Sequence, residues 1–295
     1  MAMAQDYIAI GIIFSQMLHI QPVFPIIVVG LTTSIYSFIG GVYVSIMIHK
    51  YQLPFALLAL LITIIYIGVT FDWAGLEPLP PHLKFTSQGA KSMFMFPIFT
   101  FSDIFFSDSL WQRAWAAKDN NALKKGGLFG GILNGLVVFF FAIFAFLASW
   151  SGQQGADRNS LFNIVGSDAP QWILIVISML AITMNESNID AIQNALVNNL
   201  MSLAMSFGVR LSLSLTRVVV LLINIPIILI SIQELDIMSV LLFGNMMTSF
   251  TMAPILLSMV PMFDEYISQA SLLFCYVFSM IGLLLYGYIC TVFCT

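Results

Sequence analysis

The chain is a succession of apolar runs, each long enough to cross a lipid bilayer, and this feature constrains its fold more than any other. A helix rises about 1.5 Å per residue, so roughly 20 apolar residues cross the hydrocarbon core. A partial run occupies about 6–20, with IAIGIIFSQMLH at its centre. Further spans are expected at about 23–48, 54–71, 91–113, 127–149, 171–205, 211–232, 237–261 and 268–293. Residues 1–295 therefore read as one transmembrane domain, an all-α polytopic helical bundle. Within lipid every backbone polar group must be satisfied internally, which leaves the helix as the natural element for such runs.

Composition closes the other routes. Only 8% of the residues are charged while 60% are hydrophobic, against about 25% charged in a soluble domain. The chain cannot supply a globule with a polar skin, and disorder and nucleic-acid binding are excluded on the same ground. A net charge of −4 points to no charged partner. The three cysteines, Cys275, Cys290 and Cys294, lie near the C-terminus and read as packing residues, with lipidation of the last two as the alternative. Residues 6–20 lack the basic flank and small-residue cleavage site of a signal peptide.

Orientation follows from lysine and arginine placement. With the loop Arg113–Lys125 cytoplasmic, alternation puts Lys50, Arg210 and Arg217 on that side too. Lys84, Lys91 and Arg158 fall outside, with the proline-rich segment Asp72–Gln88 and the loop at 150–169.

Polar residues inside spans carry the functional information, because a charge near the bilayer centre costs about 2.5–3.5 kcal/mol. The segment 171–205 contains ITMNESNIDAIQNALVNNLMS, which sets Thr183, Ser187, Asp190, Asn194 and Asn198 on one helical stripe. Glu186 and Gln193 form a second polar line. These groups face the bundle interior or a wet cavity, where their oxygens suit a small cation; the plainer alternative is hydrogen bonding between helices. In 91–113, Thr100, Asp103 and Ser107 share a face, and Pro97 is expected to kink the helix. Asp108 pairs with Arg113 in the plainer reading. Gly127, Gly131 and Gly135 form a small-residue ridge for close helix packing. The patch GNMMTSFTM, with Asn245 and Pro254, lines a cavity or fills space.

Three passages together resemble the sodium/solute symporter family, which includes sodium–sugar, sodium–proline and urea symporters. SIYSFIGGVYVSIMIHKYQ is similar to its Gly-Gly passage, SLWQRAWAAKDNNALKKGG to its cytoplasmic loop, and NESNIDAIQNAL to its sodium-site helix, followed by a span bearing Arg217. The resemblance implies a LeuT-like inverted-repeat fold, here lacking its first helices, in an N-terminally truncated symporter. It implies cation ligands at the Met184 carbonyl, Ser187 and Asn188, beside Asp190, with Asn188 standing where the family has Ser or Thr. His49 and Lys50 replace the family's Thr-Asp pair. Thr100, Asp103, Ser107, Glu186, Asn194 and Asn245 are the expected cavity or gating residues.

The expected function is cation-coupled symport, by sodium or proton, of a small polar solute of the sugar, amino acid, urea or polyamine class across the plasma membrane. The WQRA wording leans toward the urea and polyamine branch. No cofactor is expected beyond the transported cation. The alternative is a truncated, non-transporting membrane protein. An enzyme is not expected, since neither GxSxG nor HExxH occurs and the histidines His19, His49 and His82 are scattered.

Overall fold

The computed structural model describes all residues except 1, 74, 76–77, 81–82, 152–163, 166–168, 234–236, 264–267 and 294–295. His82, Arg158 and Cys294 therefore lie outside the described residues, as do the side chains of Pro254 and Cys290. Among the described residues every regular element is a helix. They are α1 (Ala2–Leu18), α2 (Val23–Thr70), α3 (Ser87–Phe105), α4 (Asp108–Trp115), α5 (Asn120–Trp150), α6 (Gln171–Ser206), α7 (Leu213–Ser231), α8 (Ile237–Ser258) and α9 (Gln269–Phe293), with a 3₁₀ turn at Pro261–Phe263. Four of them, α2, α5, α6 and α7, are long and apolar enough to cross a membrane, or up to five where the interrupted pair α3–α4 counts as one span. Side-chain caps start several helices: Asp119 accepts from the Ala122 amide at 2.6 Å, and Thr86 from Gly89 at 3.0 Å.

The stretch read from the sequence as one transmembrane domain is organised as two compact units. The larger holds residues 2–84 and 108–237, and so contains α1, α2 and α4–α7. The smaller holds residues 85–107 and 238–295, with α3 and α9 and nearly all of α8. Within it Ser102 is the buried polar residue of α3, its hydroxyl directed to Met252 Sδ of α8 at 2.9 Å.

In the larger unit α2 does not end near residue 48, as the apolar pattern predicts. It is helical on both sides of Gly41, which has φ 53° and ψ −147°. The two arms, 23–40 and 42–70, track α6 in opposite directions. In the first arm Ile26 clusters with Ile189, Ser34 bonds to Gln193, and Ser37 lines a pocket with Val197. In the second, His49 meets Ser187, Gln52 meets Glu186, and Ile67 shares a cavity wall with Ile177. The chain therefore reverses at Gly41. Only glycine adopts this backbone conformation without strain, and a Cβ there would also run into the Arg217 guanidinium. Arg217 Nη1 donates to the carbonyls of Phe38 and Ile39 at 2.9 and 3.4 Å, serving the carbonyls that the first arm leaves open at its end. Arg217 thus holds the hairpin from α7. Pro54, by contrast, lies within the second arm without ending it.

One further expectation, close packing of the α5 glycine ridge, needs correction, and the interruption after α3 falls beyond Pro97. The helix containing Pro97 continues past it and stops at Phe105, restarting at Asp108. One missing donor is tolerated, and the break falls where the Phe106 and Ser107 amides fold back onto Ser102 and Ile104. The glycine ridge of α5 is exposed: a Cβ at Gly127, Gly131 or Gly135 meets nothing within 4 Å. The described residues do not use it for close packing.

Two apolar clusters in the larger unit bracket a polar middle. One joins the second arm of α2, the later half of α5 and the first turns of α6, including Leu60, Phe144, Ile173 and Ile177. The other joins α1, the first arm of α2, α6 and α7 through Tyr7, Ile10, Ile26, Ile189 and Ile228. Helix α1, which the apolar pattern marks only as a short partial segment, is among the most enclosed elements, with Tyr7 and Ile10 fully buried. The outer faces are apolar instead, with Ile39, Tyr43, Leu128 and Phe129 exposed and Val69 at 80%. A molecule with buried polar groups between its apolar clusters and so apolar an exterior is built for lipid.

Candidate functional site

Asp190 is the twentieth of the 36 residues of α6 and is 1% exposed. Its Oδ1 accepts from Asn194 Nδ2 at 3.0 Å, one turn further along. Its Oδ2 is buried with no hydrogen-bond partner. The closest cationic candidate is His49 on the second arm of α2, whose Nε2 lies 3.7 Å from that oxygen.

His49 is the hub of the site. Its Nδ1 lies 2.9 Å from Gln52 Oε1 and 3.1 Å from Ser187 Oγ. Its Nε2 lies 2.9 Å from Arg113 Nη2 and 3.2 Å from Ser45 Oγ. Gln52 continues the chain, donating through Nε2 to Glu186 Oε2 at 3.4 Å. The helix α4 that carries Arg113 is tied down at its other end as well, where Asp108 Oδ2 accepts from Asn199 Nδ2 of α6. Asp108 and Arg113, which pair with each other in the plainer reading of the sequence, are instead each directed to another helix.

Beside this network is a cavity of about 400 Å³, within the range of small-molecule sites. His49, Gln52, Arg113 and Ser187 gather at one part of its wall, with Asn134 of α5 and Thr183 of α6 also polar. Leu53, Leu57, Leu60, Leu133, Val137 and Leu180 make the remainder largely aliphatic. Such a cavity can take a solute with polar ends and an apolar body.

The structure gathers part of the residue set expected from the sequence. Met184 and Ser187 line the cavity, while Asp190, Glu186 and Asn194 stand directly behind its polar wall. Asn188 does not join them: it is exposed on another face of α6, its Nδ2 donating to Asp6 Oδ2 of α1 at 2.7 Å. Asn198 is exposed as well. Thr100, Asp103, Ser107 and Asn245 belong to the smaller unit, where Thr100 and Asp103 are exposed and Ser107 and Asn245 half-buried.

His49, Gln52, Arg113 and Asn134 were not identified from the sequence as site residues. The one available signal was a His-Lys pair within a stretch of two apolar runs. A second buried network was also missed. Tyr7 donates to Asn224 Oδ1 at 3.0 Å, and Asn224 Nδ2 donates to the Gly30 carbonyl at 3.3 Å and to Ser34 Oγ. Gln193 donates to the same Ser34 hydroxyl at 3.4 Å. Gln193 thus bonds between helices through its amide nitrogen, while its Oε1 is buried without a partner.

A helical bundle with an apolar exterior and a cavity with one polar wall beside a mid-span carboxylate defines a multi-pass integral membrane protein. Over 216 residues, 72% of its length, the chain is 25% identical to the Spermidine transporter DUR31 of Candida albicans (strain SC5314 / ATCC MYA-2876). The matched region spans 41% of that protein. No family profile matches the chain, and no solved structure does.

Proposed function

We propose that the chain forms part of a secondary active transporter that moves a small polar solute of the polyamine class across a membrane, driven by a cation gradient. The observation that carries this reading is Asp190, a carboxylate at the middle of a membrane-length helix with one oxygen unpartnered, placed behind the polar wall of a 400 Å³ cavity. An unpaired buried charge is costly. An ammonium group or a small cation entering beside Ser187 offsets that cost and is therefore drawn to this point. The aliphatic wall suits a methylene chain, and Glu186 supplies a second carboxylate next to Gln52. Similarity to a spermidine transporter supports the solute class.

Cation coupling rests on the resemblance to sodium/solute symporters, with a LeuT-like fold, and on Met184 and Ser187 lying on the cavity wall. Asn188 contributes elsewhere, in its bond to Asp6. Coupling requires that the cation favour one arrangement of the bundle over the other. The test is uptake of labelled spermidine into vesicles carrying the full-length gene product, with and without an imposed sodium or proton gradient. Gradient-driven uptake that disappears in Asp190→Ala is expected; uptake indifferent to both gradient and substitution rejects the reading.

A further inference from the structure

The hydrogen bonds around His49 have a direction, and Arg113 sets it. A guanidinium has only donors. At 2.9 Å from His49 Nε2, Arg113 Nη2 must place its hydrogen on a bare ring nitrogen. The proton of the neutral imidazole is then on Nδ1, where Gln52 Oε1 accepts it at 2.9 Å. The Gln52 carbonyl oxygen being so engaged, its amide nitrogen is turned to Glu186 Oε2. The relay therefore runs from Arg113 through His49 and Gln52 to Glu186, crossing from α4 through α2 to α6.

The consequence falls on Asp190. With Nε2 bare, His49 has no proton to offer Oδ2 across the 3.7 Å between them, and that oxygen is buried without a hydrogen-bond partner. Remove the arginine donor and Nε2 is free to carry the proton. Released from Arg113, the ring can move in from 3.7 Å and donate to Asp190, directly or through the Ser45 hydroxyl 3.2 Å from Nε2, and the carboxylate is closed to an incoming cation.

We propose that Arg113 is a positioning residue: by donating to Nε2 of His49 it holds the ring proton on Nδ1, and so keeps Oδ2 of Asp190 open for the cationic group of the solute. This rests on the reading above that Asp190 receives that group. Arg113 acts through His49, so its effect must disappear when His49 is removed.

Two measurements on the purified full-length protein test this. The first is nitrogen-15 NMR after histidine-selective labelling, with His49 assigned by the resonance lost in His49→Gln. The wild type is expected to show a protonated Nδ1 and a bare Nε2, and Arg113→Ala to show a protonated Nε2, with the other histidines unchanged. The second is equilibrium binding of spermidine. Arg113→Ala is expected to weaken it about tenfold, the scale of one hydrogen bond to a charged group. Arg113→Lys, which keeps a donor, recovers part of the affinity, and Arg113→Ala combined with His49→Ala recovers most of it. A protonated Nε2 in the wild type, an unchanged ring in Arg113→Ala, or a loss of affinity that the double substitution does not restore overturns the proposal. Absence of spermidine binding in the wild type counts against the solute class instead, and the NMR measurement then decides whether Arg113 controls the ring.

Discussion

Oδ2 of Asp190 and Nε2 of His49 face each other across 3.7 Å in the larger helical unit, too far apart to share a hydrogen bond. A carboxylate oxygen is thereby left buried and unpartnered beside a group that could satisfy it. That arrangement leaves one carboxylate oxygen without a hydrogen bond in the empty protein, and it separates the requirements of folding from those of binding.

Asp190→Asn makes the separation measurable. The amide oxygen can still accept from Asn194, while the buried charge is removed. The variant is expected to be at least as stable as the wild type, by about 1–3 kcal/mol in its favour, since an unsatisfied buried charge is relieved. Spermidine uptake should fall to background. Thermal unfolding in detergent alongside vesicle uptake checks both; a destabilised variant that retains transport contradicts the assignment.

Gly41→Ala should weaken the hairpin. Its backbone conformation costs a non-glycine residue about 1–3 kcal/mol, and the added Cβ meets Arg217. Gly135→Ala, whose Cβ meets nothing within 4 Å, serves as the comparison and should leave the melting temperature unchanged or raise it. Equal losses in the two variants would show that Gly41 is not the point of reversal.

Arg217→Ala removes the donor to the Phe38 and Ile39 carbonyls. A loss of about 1.5–3 kcal/mol is expected for hydrogen bonds to a charged group. Because the same guanidinium obstructs a Cβ at Gly41, the two substitutions should be non-additive, with part of the Gly41→Ala penalty absent in the Arg217→Ala background. Thermal stability of the four members of that cycle decides the matter.

Tyr7→Phe leaves Asn224 Oδ1 buried without its 3.0 Å donor. The expected cost is about 1–3 kcal/mol, read as a lower unfolding midpoint. Since Tyr7 lies in the network of α1, α2 and α7 and not on the cavity wall, the spermidine affinity of the folded fraction should be unchanged.

Helices were legible in the sequence wherever an apolar run was long, and the polar stripe of α6 was legible because Thr183, Ser187, Asp190 and Asn194 recur at helical spacing. The same periodicity did not separate Asn188 from Ser187. Neighbours in sequence lie about 100° apart around a helix, so one lines the cavity while the other reaches Asp6. Proline was a poor guide to breaks: α3 and the second arm of α2 contain Pro97 and Pro54. Gly41 marks the reversal, and nothing in the local sequence distinguishes it from the neighbouring Gly40.

From its order of residues alone, this protein is committed to lipid and to helices, because apolar surface and unsatisfied backbone leave no other solution in a bilayer. The central carboxylate of α6 is equally a property of the sequence. Which groups meet that carboxylate is not. His49 and Arg113 are 64 residues apart, and His49 and Ser187 are 138 apart. They converge only because the chain turns back at Gly41 and each helix settles in one rotation against its neighbours. That choice depends on packing between surfaces distant in sequence, which no local pattern records.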